Sequence, residues 1–306
     1  MQKKEMSSGV VEDVRLMEDF LMLGAHLTQQ LCTFLKLPAS TTSLAQIYLH
    51  TFYTSSTTHL LTHALLDITM GSVLLAAKAS ESHRRVRDVV NMGYLLFHKL
   101  RRVDFSPLPY VCDAYFTWRE RVTKAEIMVL RALEFKSHYL LPHGLLVNYL
   151  RALELLKDKK LAQKALNYAN DAFRNPTLAL QPPERIACAS IYAACDDSRI
   201  DLPRDWHLVF DVSSEDLRQA VKLLDRVYKW RLDPALPITP PELRVFAEEY
   251  DREVVYMEGR FKEKRRRRSS SPIPPPSPEA EKATGPADNE YASLYSDFSY
   301  SPATPK

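Results

Sequence analysis

The residues best suited to chemistry in this chain are scattered. Four cysteines, Cys32, Cys112, Cys188 and Cys195, contain no Cys-x-x-Cys pair, which argues against a zinc ribbon. Cys188 and Cys195 share one predicted helix and read as apolar fillers. His59 and His63 have the spacing of a metal pair, but they straddle a predicted turn and no third ligand is evident. No metal is expected there. There is no Ser-His-Asp pattern, no His-Glu-x-x-His and no phosphate loop, and only seven residues are glycine. Neither catalysis nor a cofactor is expected. What remains is charge placed for recognition. Lys78 closes an almost wholly apolar stretch, and Arg84 and Arg85 open the next helix, where a cation opposes the helix dipole. That unfavourable placement points equally to a partner anion or to a solvated basic face. Arg265, Arg266, Arg267 and Arg268 precede Ser269-Ser270-Ser271, a pattern suited to nuclear import. Ser271, Ser277, Ser301 and Thr304 each precede a proline and are candidate sites of proline-directed phosphorylation.

The elements that must carry these residues read as helices. Residues 14–37 place Leu16, Phe20, Leu23, Leu27, Leu31 and Leu35 at gaps of three and four, one apolar face. Pro38 stops that helix. Further helices are predicted over 40–56, 63–79, 84–101 and 118–135, and in a second half over 143–156, 159–174, 183–195 and 213–230. The 63–79 segment is apolar nearly all round, which places it at the centre of a bundle. Ser213 with Asp216 fits an N-terminal capping pattern. After Trp230, Pro234, Pro237, Pro240 and Pro241 break the order. A short charged helix is expected somewhere in 242–264. Eight of the twenty prolines fall after position 271, and that tail lacks the apolar surface to offset its ordering entropy, so it is expected to be disordered.

The two halves resemble each other. Ala45, Tyr48 and Phe52 are echoed by Ala165, Tyr168 and Phe173. The central helices end in Ala76-Ala77 and Ala193-Ala194 at an offset of 117 (193 − 76), which places Cys195 opposite Lys78. Small residues, Gly71-Ser72 and Cys188-Ala189, lie earlier on each and allow close helix approach. This pattern favours a duplicated helical unit.

Composition fits that picture. An apolar fraction of 45% can fill cores for 306 residues, and a net charge of +3 argues against coating nucleic acid by bulk charge. The opening residues lack the apolar core of a signal peptide. No uncharged apolar run approaches the ~18 residues of a membrane span. Scattered cysteines suit a reducing compartment.

The run Leu74 to Glu81, in which an apolar helix ends in Ala77-Lys78 before an acidic residue, resembles the cyclin-box signature. Arg84-Arg85-Val86-Arg87-Asp88-Val89-Val90 resembles the transcription-type cyclins, cyclin L in particular. Lys124 to Phe135 looks like the fifth helix of a first cyclin box. Leu141-Pro142-His143, Asn148-Tyr149-Leu150 and Pro183 to Ala189 are similar to the second box. The resemblance covers residues 14–230, with its signatures in family order. One departure stands out: Ser80 occupies the place of the first of two acidic residues after the lysine, and Glu81 keeps the second.

The resemblance implies an all-α cyclin fold: two tandem five-helix bundles, a duplicated cyclin box, followed by a disordered C-terminal tail. The expected boundaries are an N-terminal extension 1–13, a first, kinase-binding box 14–140, a second box 141–230, a linker 231–264 and a tail 265–306. It implies a non-enzymatic regulatory subunit of a cyclin-dependent protein kinase of the transcription or splicing type. Splicing factors or RNA polymerase II machinery would be further partners, the nucleus the compartment, and neither membrane nor direct nucleic-acid contact is expected. Lys78 would donate to kinase carbonyls and Glu126 would accept from kinase amides. Leu75, Ala79, Leu130 and Phe135 would floor an apolar groove, with Glu81, Arg84 and Arg85 at its edge. An alternative is a TFIIB-like factor, which uses the same duplicated fold on DNA but normally carries a zinc ribbon and basic lobes.

Overall fold

A computed structural model describes residues 2–55, 65–101 and 112–231, with side chains from residue 17 onward except 99–101. The chain divides into two units, Met1–Asp251 and Arg252–Lys306, and all described residues lie in the first. The expectations for the arginine run 265–268, for Ser271, Ser277, Ser301 and Thr304, for His59 and His63, and for the linker and tail lie outside the described residues.

Among the described residues there are ten α-helices and no strand. The first half holds α1 (Gln2–Phe34), α2 (Ala39–Ser55), α3 (Leu65–Ala79), α4 (Val86–Arg101) and α5 (Asp113–Ala132). The second holds α6 (Pro142–Ala152), α7 (Lys159–Ala172), the single-turn α8 (Pro176–Ala179), α9 (Pro183–Ser198) and α10 (Ser214–Lys229). A 3-10 turn, Trp206–Phe210, precedes α10. This is the expected all-α pair of tandem five-helix bundles.

Each half is built round one apolar helix. Ile68, Met70, Val73, Leu74, Ala76 and Ala77 of α3 are wholly buried, because α1, α2, α4 and α5 all pack on it. In the second half α9 packs against α6, α7 and α10, burying Ile186, Cys188, Ile191, Ala194 and Cys195. Burial pushes the Cys188 thiol up to about 12 and the Cys195 thiol to about 11, so both stay protonated fillers.

Local chemistry sets where helices begin. The Asp158 carboxylate accepts from the amides of Lys160 and Leu161 at 2.9 and 3.2 Å. Asn175 accepts from Leu178 at 3.0 Å, and Ser213 accepts from Asp216 at 3.1 Å, the pattern read from the sequence. Such caps satisfy donors that a helix start leaves orphaned, each contributing about 1 kcal/mol. Helix ends use left-handed residues, and with so few glycines the chain places charged side chains there: Lys36, Glu81, Glu134, Glu154 and Arg199 all have positive φ.

The halves meet along a polar seam. Across it the buried His50 ring lies 2.9 Å from the Phe173 carbonyl, while the Tyr48 hydroxyl donates to the Ser137 carbonyl within the first half at 2.5 Å. The Trp230 indole donates to Asp19 at 2.7 Å, and Arg226 pairs with Glu18 at 2.5 Å. Ile47 of α2 completes the apolar core of the second half.

Candidate recognition site

The first half brings Lys78 and Glu126 together. Lys78 sits on the last turn of α3 and Glu126 two-thirds along α5, and their side chains meet at 2.5 Å. The approach depends on Gly71. A methyl there would stand 2.7 Å from backbone atoms of Ala125 and Glu126, so α3 and α5 pack almost backbone to backbone. The ammonium is half exposed and the carboxylate only 12% exposed. A pair of that kind adds at most about 1 kcal/mol to stability. Its chief consequence is preorganisation: the two groups hold each other at the surface, one able to donate and the other to accept.

The neighbouring candidates divide by burial. Leu75, one turn before Lys78 and Ala79, is buried at 7% and belongs to the core. Ala79 and Leu130 are half-buried. Phe135 is 69% exposed. Glu134 and Phe135 are both left-handed, at φ 50 and 62, a conformation that costs an L-residue about 1–2 kcal/mol. The chain thus turns sharply after α5 and presents the phenyl ring outward. Ile127, Tyr139 and Leu140 are exposed as well and widen this apolar surface. Ile127 was missed in the sequence because a helical apolar residue reads as core until its neighbours are known, and Tyr139 and Leu140 lie in the irregular segment before α6.

Three details differ from the sequence reading. First, Arg84 does not lie on the fourth helix, which begins at Val86. Its guanidinium donates to the carbonyls of Leu35 and Lys36 at 2.8 and 2.9 Å, and to that of His83 at 3.0 Å. It therefore caps the C-terminus of α1, where a cation is favourable, and the expected conflict with the dipole of α4 is resolved within the protein. Arg85 is exposed, as is Glu81.

Second, Ser80 is engaged inside the chain. Its hydroxyl donates to the Ala76 carbonyl at 2.8 Å and so accepts from Thr41, 2.7 Å away. An ionised carboxylate could accept from Thr41 but could not donate to Ala76.

Third, the halves align at 118, not 117. Glu81, two residues beyond α3, and Arg199, the first residue beyond α9, both have φ 56, an offset of 118 (199 − 81). The Glu81 amide bonds to the Lys78 carbonyl at 3.2 Å, and the Arg199 amide to the Asp196 carbonyl at 3.1 Å. Asp196, exposed like Lys78, is therefore its counterpart. Cys195 is buried and corresponds to Ala77. The miss came from matching Ala-Ala pairs, which repeat too easily to fix a register.

Comparison with known proteins bears on this arrangement. No family model matches the chain. Cyclin-L2 of Mus musculus is 35% identical over 235 residues, 74% of this chain and 44% of its own length. Cyclin-L1 of Homo sapiens is 35% identical over 206 residues, 66% of this chain and 38% of its own length. The chain belongs to the cyclin family. This cyclin spans less than half the length of the curated relatives it matches. In fold it is similar to a chain of the yeast RNA Pol II CTD kinase CTDK-1 complex, with a TM-score of 0.57 at 18% identity over 70% of this chain and 67% of that one. Among the described residues of this cyclin, no helix is long and apolar enough to cross a membrane.

Proposed function

We propose that this cyclin is a regulatory subunit that binds and activates a cyclin-dependent protein kinase acting in RNA polymerase II transcription or pre-mRNA splicing. The observation that carries the reading is the Lys78–Glu126 pair at 2.5 Å. A preset donor and acceptor beside exposed Phe135 and half-buried Leu130 suits the regulatory helix of a kinase, which offers backbone groups at its ends and an apolar flank between. Holding that helix would let the kinase's own lysine–glutamate ion pair form. Catalysis belongs to the kinase in this scheme. The relatives matched in sequence are L-type cyclins, and the matched fold comes from an RNA Pol II CTD kinase complex; both support the transcription or splicing assignment. Arg265 to Arg268 would direct entry to the nucleus, and Ser271, Ser277, Ser301 and Thr304 would be targets of the bound kinase. The boundaries 14–140 and 141–230 would be the two cyclin boxes.

The test is binding and activation of a transcription-type kinase by full-length Lys78→Ala and Glu126→Ala. Each should lose about 2–5 kcal/mol of affinity, as expected when one partner of a desolvated charged hydrogen bond is truncated. Their melting temperatures should stay near wild type, because the pair is partly exposed. If both variants bind and activate as the wild type does, the reading is wrong.

A further inference from the structure

The end of α9 borders a cavity of about 410 Å³, within the size range of small-molecule and side-chain pockets. Buried Cys195, Trp206 and Leu217 line its interior, and Tyr192, 40% exposed, stands among its walls. Asp196, Asp201 and Asp205 line the same cavity and are exposed. None of the three has a cationic partner among the described residues. The one arginine in the lining, Arg218, is held by Glu215 at 3.1 Å. His207 is committed on both ring nitrogens, to the Val212 carbonyl at 2.7 Å and the Ser214 hydroxyl at 3.3 Å. The cavity thus combines aromatic rings with unneutralised carboxylates.

We propose that this cavity docks an arginine side chain carried by a segment of a partner protein. Charge complementarity decides the sign of the ligand, since three carboxylates outnumber the one lining arginine, which is itself paired with Glu215. The exposed Tyr192 ring decides between the two cationic side chains. A guanidinium is planar, less strongly hydrated than an ammonium, able to lie flat on a Tyr or Trp ring, and able to bond a carboxylate through two parallel N–H groups. A lysine ammonium is attracted to carboxylates and to a ring face, but it can neither stack flat on the ring nor bond a carboxylate through two parallel N–H groups. The site is distinct from the Lys78–Glu126 pair and does not depend on what that pair binds. It occupies the corresponding end of the second half's central helix, with an acid, Asp196, where the first half has a base.

The experiment titrates the full-length chain against a fluorescein-labelled peptide, Gly-Arg-Ala-Arg-Ala-Arg-Gly, by fluorescence anisotropy. Parallel peptides replace arginine by citrulline, which keeps the shape and removes the charge, or by lysine. The arginine peptide should bind saturably and more weakly as salt rises, with the citrulline and lysine peptides each about tenfold weaker. The double substitution Asp196→Asn with Asp201→Asn, and Tyr192→Ala alone, should each weaken binding about tenfold with circular dichroism and melting temperature unchanged. Lys78→Ala should bind as wild type. Non-saturable binding, equal affinity for the citrulline peptide, or wild-type affinity in both cavity variants would overturn the proposal. So would a concentration-dependent dimer that competes with the peptide, which would assign the cavity to a second copy of this chain.

Discussion

The two central helices, α3 and α9, end in the same way and are used differently. Each stops at a left-handed residue whose amide reaches back to an exposed charged residue, Lys78 in one and Asp196 in the other. In the first half that residue is held by a carboxylate on the fifth helix. In the second it lines a cavity whose one arginine, Arg218, is paired with Glu215. The two helices also differ at one small residue. Gly71 lets α3 lie against the backbone of α5, whereas its counterpart at offset 118 is Ala189, whose methyl is already buried. Duplication preserved the helix and its cap.

The comparison can be broken at Gly71. Gly71→Ala should cost about 1–3 kcal/mol, as overpacking does, because the new methyl meets backbone and not a flexible side-chain tip. Thermal or denaturant melts measure this. Glu126 rides on the displaced helix, so kinase affinity should fall by more than stability alone explains. Ala189→Gly should instead lower stability through backbone entropy and the loss of a buried methyl, by about 1–2 kcal/mol, without a specific loss of kinase affinity. A kinase affinity that falls no further in Gly71→Ala than its stability loss explains would mean that the asymmetry has another source.

The seam that holds the halves together gives a pH dependence. Burial holds the His50 ring at a pKa of about 4, well below its usual 6.5. In the unfolded chain the ring takes up a proton near 6.5, so between those values the unfolded state binds more protons. Stability is therefore intact above pH 6.5 and is lost as pH falls toward 4. Between pH 7 and 5 the loss should be about 1–2 kcal/mol, and His50→Gln should flatten it. A wild-type stability that stays level over this range would show that the seam opens before the ring titrates. Trp230→Phe, which removes the bond to Asp19, should cost about 1 kcal/mol at any of these pH values.

Much of this architecture was legible in the sequence, because apolar spacing of three and four is a direct consequence of helix geometry. Where it failed, the cause was local. Residues 143–156 keep helical spacing to their end, yet α6 stops at Ala152 because Glu154 turns left-handed before a 3-10 turn. Leu155 and Leu156 continue the apolar pattern without continuing the helix. Asn175 and Pro176 fall between the predicted helices 159–174 and 183–195 and are the cap and first residue of α8. At the site, Lys78 and Glu126 came from family motifs and the structure joins them. The engagement of Arg84 with α1 joins residues far apart in sequence, and no spacing rule could have signalled it.

The smallest expected effects test the alignment of the halves. Glu81 and Arg199 both pay for a left-handed backbone without glycine's freedom. Glu81→Gly and Arg199→Gly should each raise stability, by about 0.5–1 kcal/mol, since glycine adopts φ > 0 without the Cβ clash. Neither side chain makes a hydrogen bond or ion pair among the described residues, so little is lost with it. The gain is offset in part by glycine's larger entropy when unfolded, and that cost is the same at both positions. Near-equal rises in melting temperature would support an offset of 118. A rise at one site and a fall at the other would mean that the two caps are not equivalent, and that Asp196 is not the counterpart of Lys78.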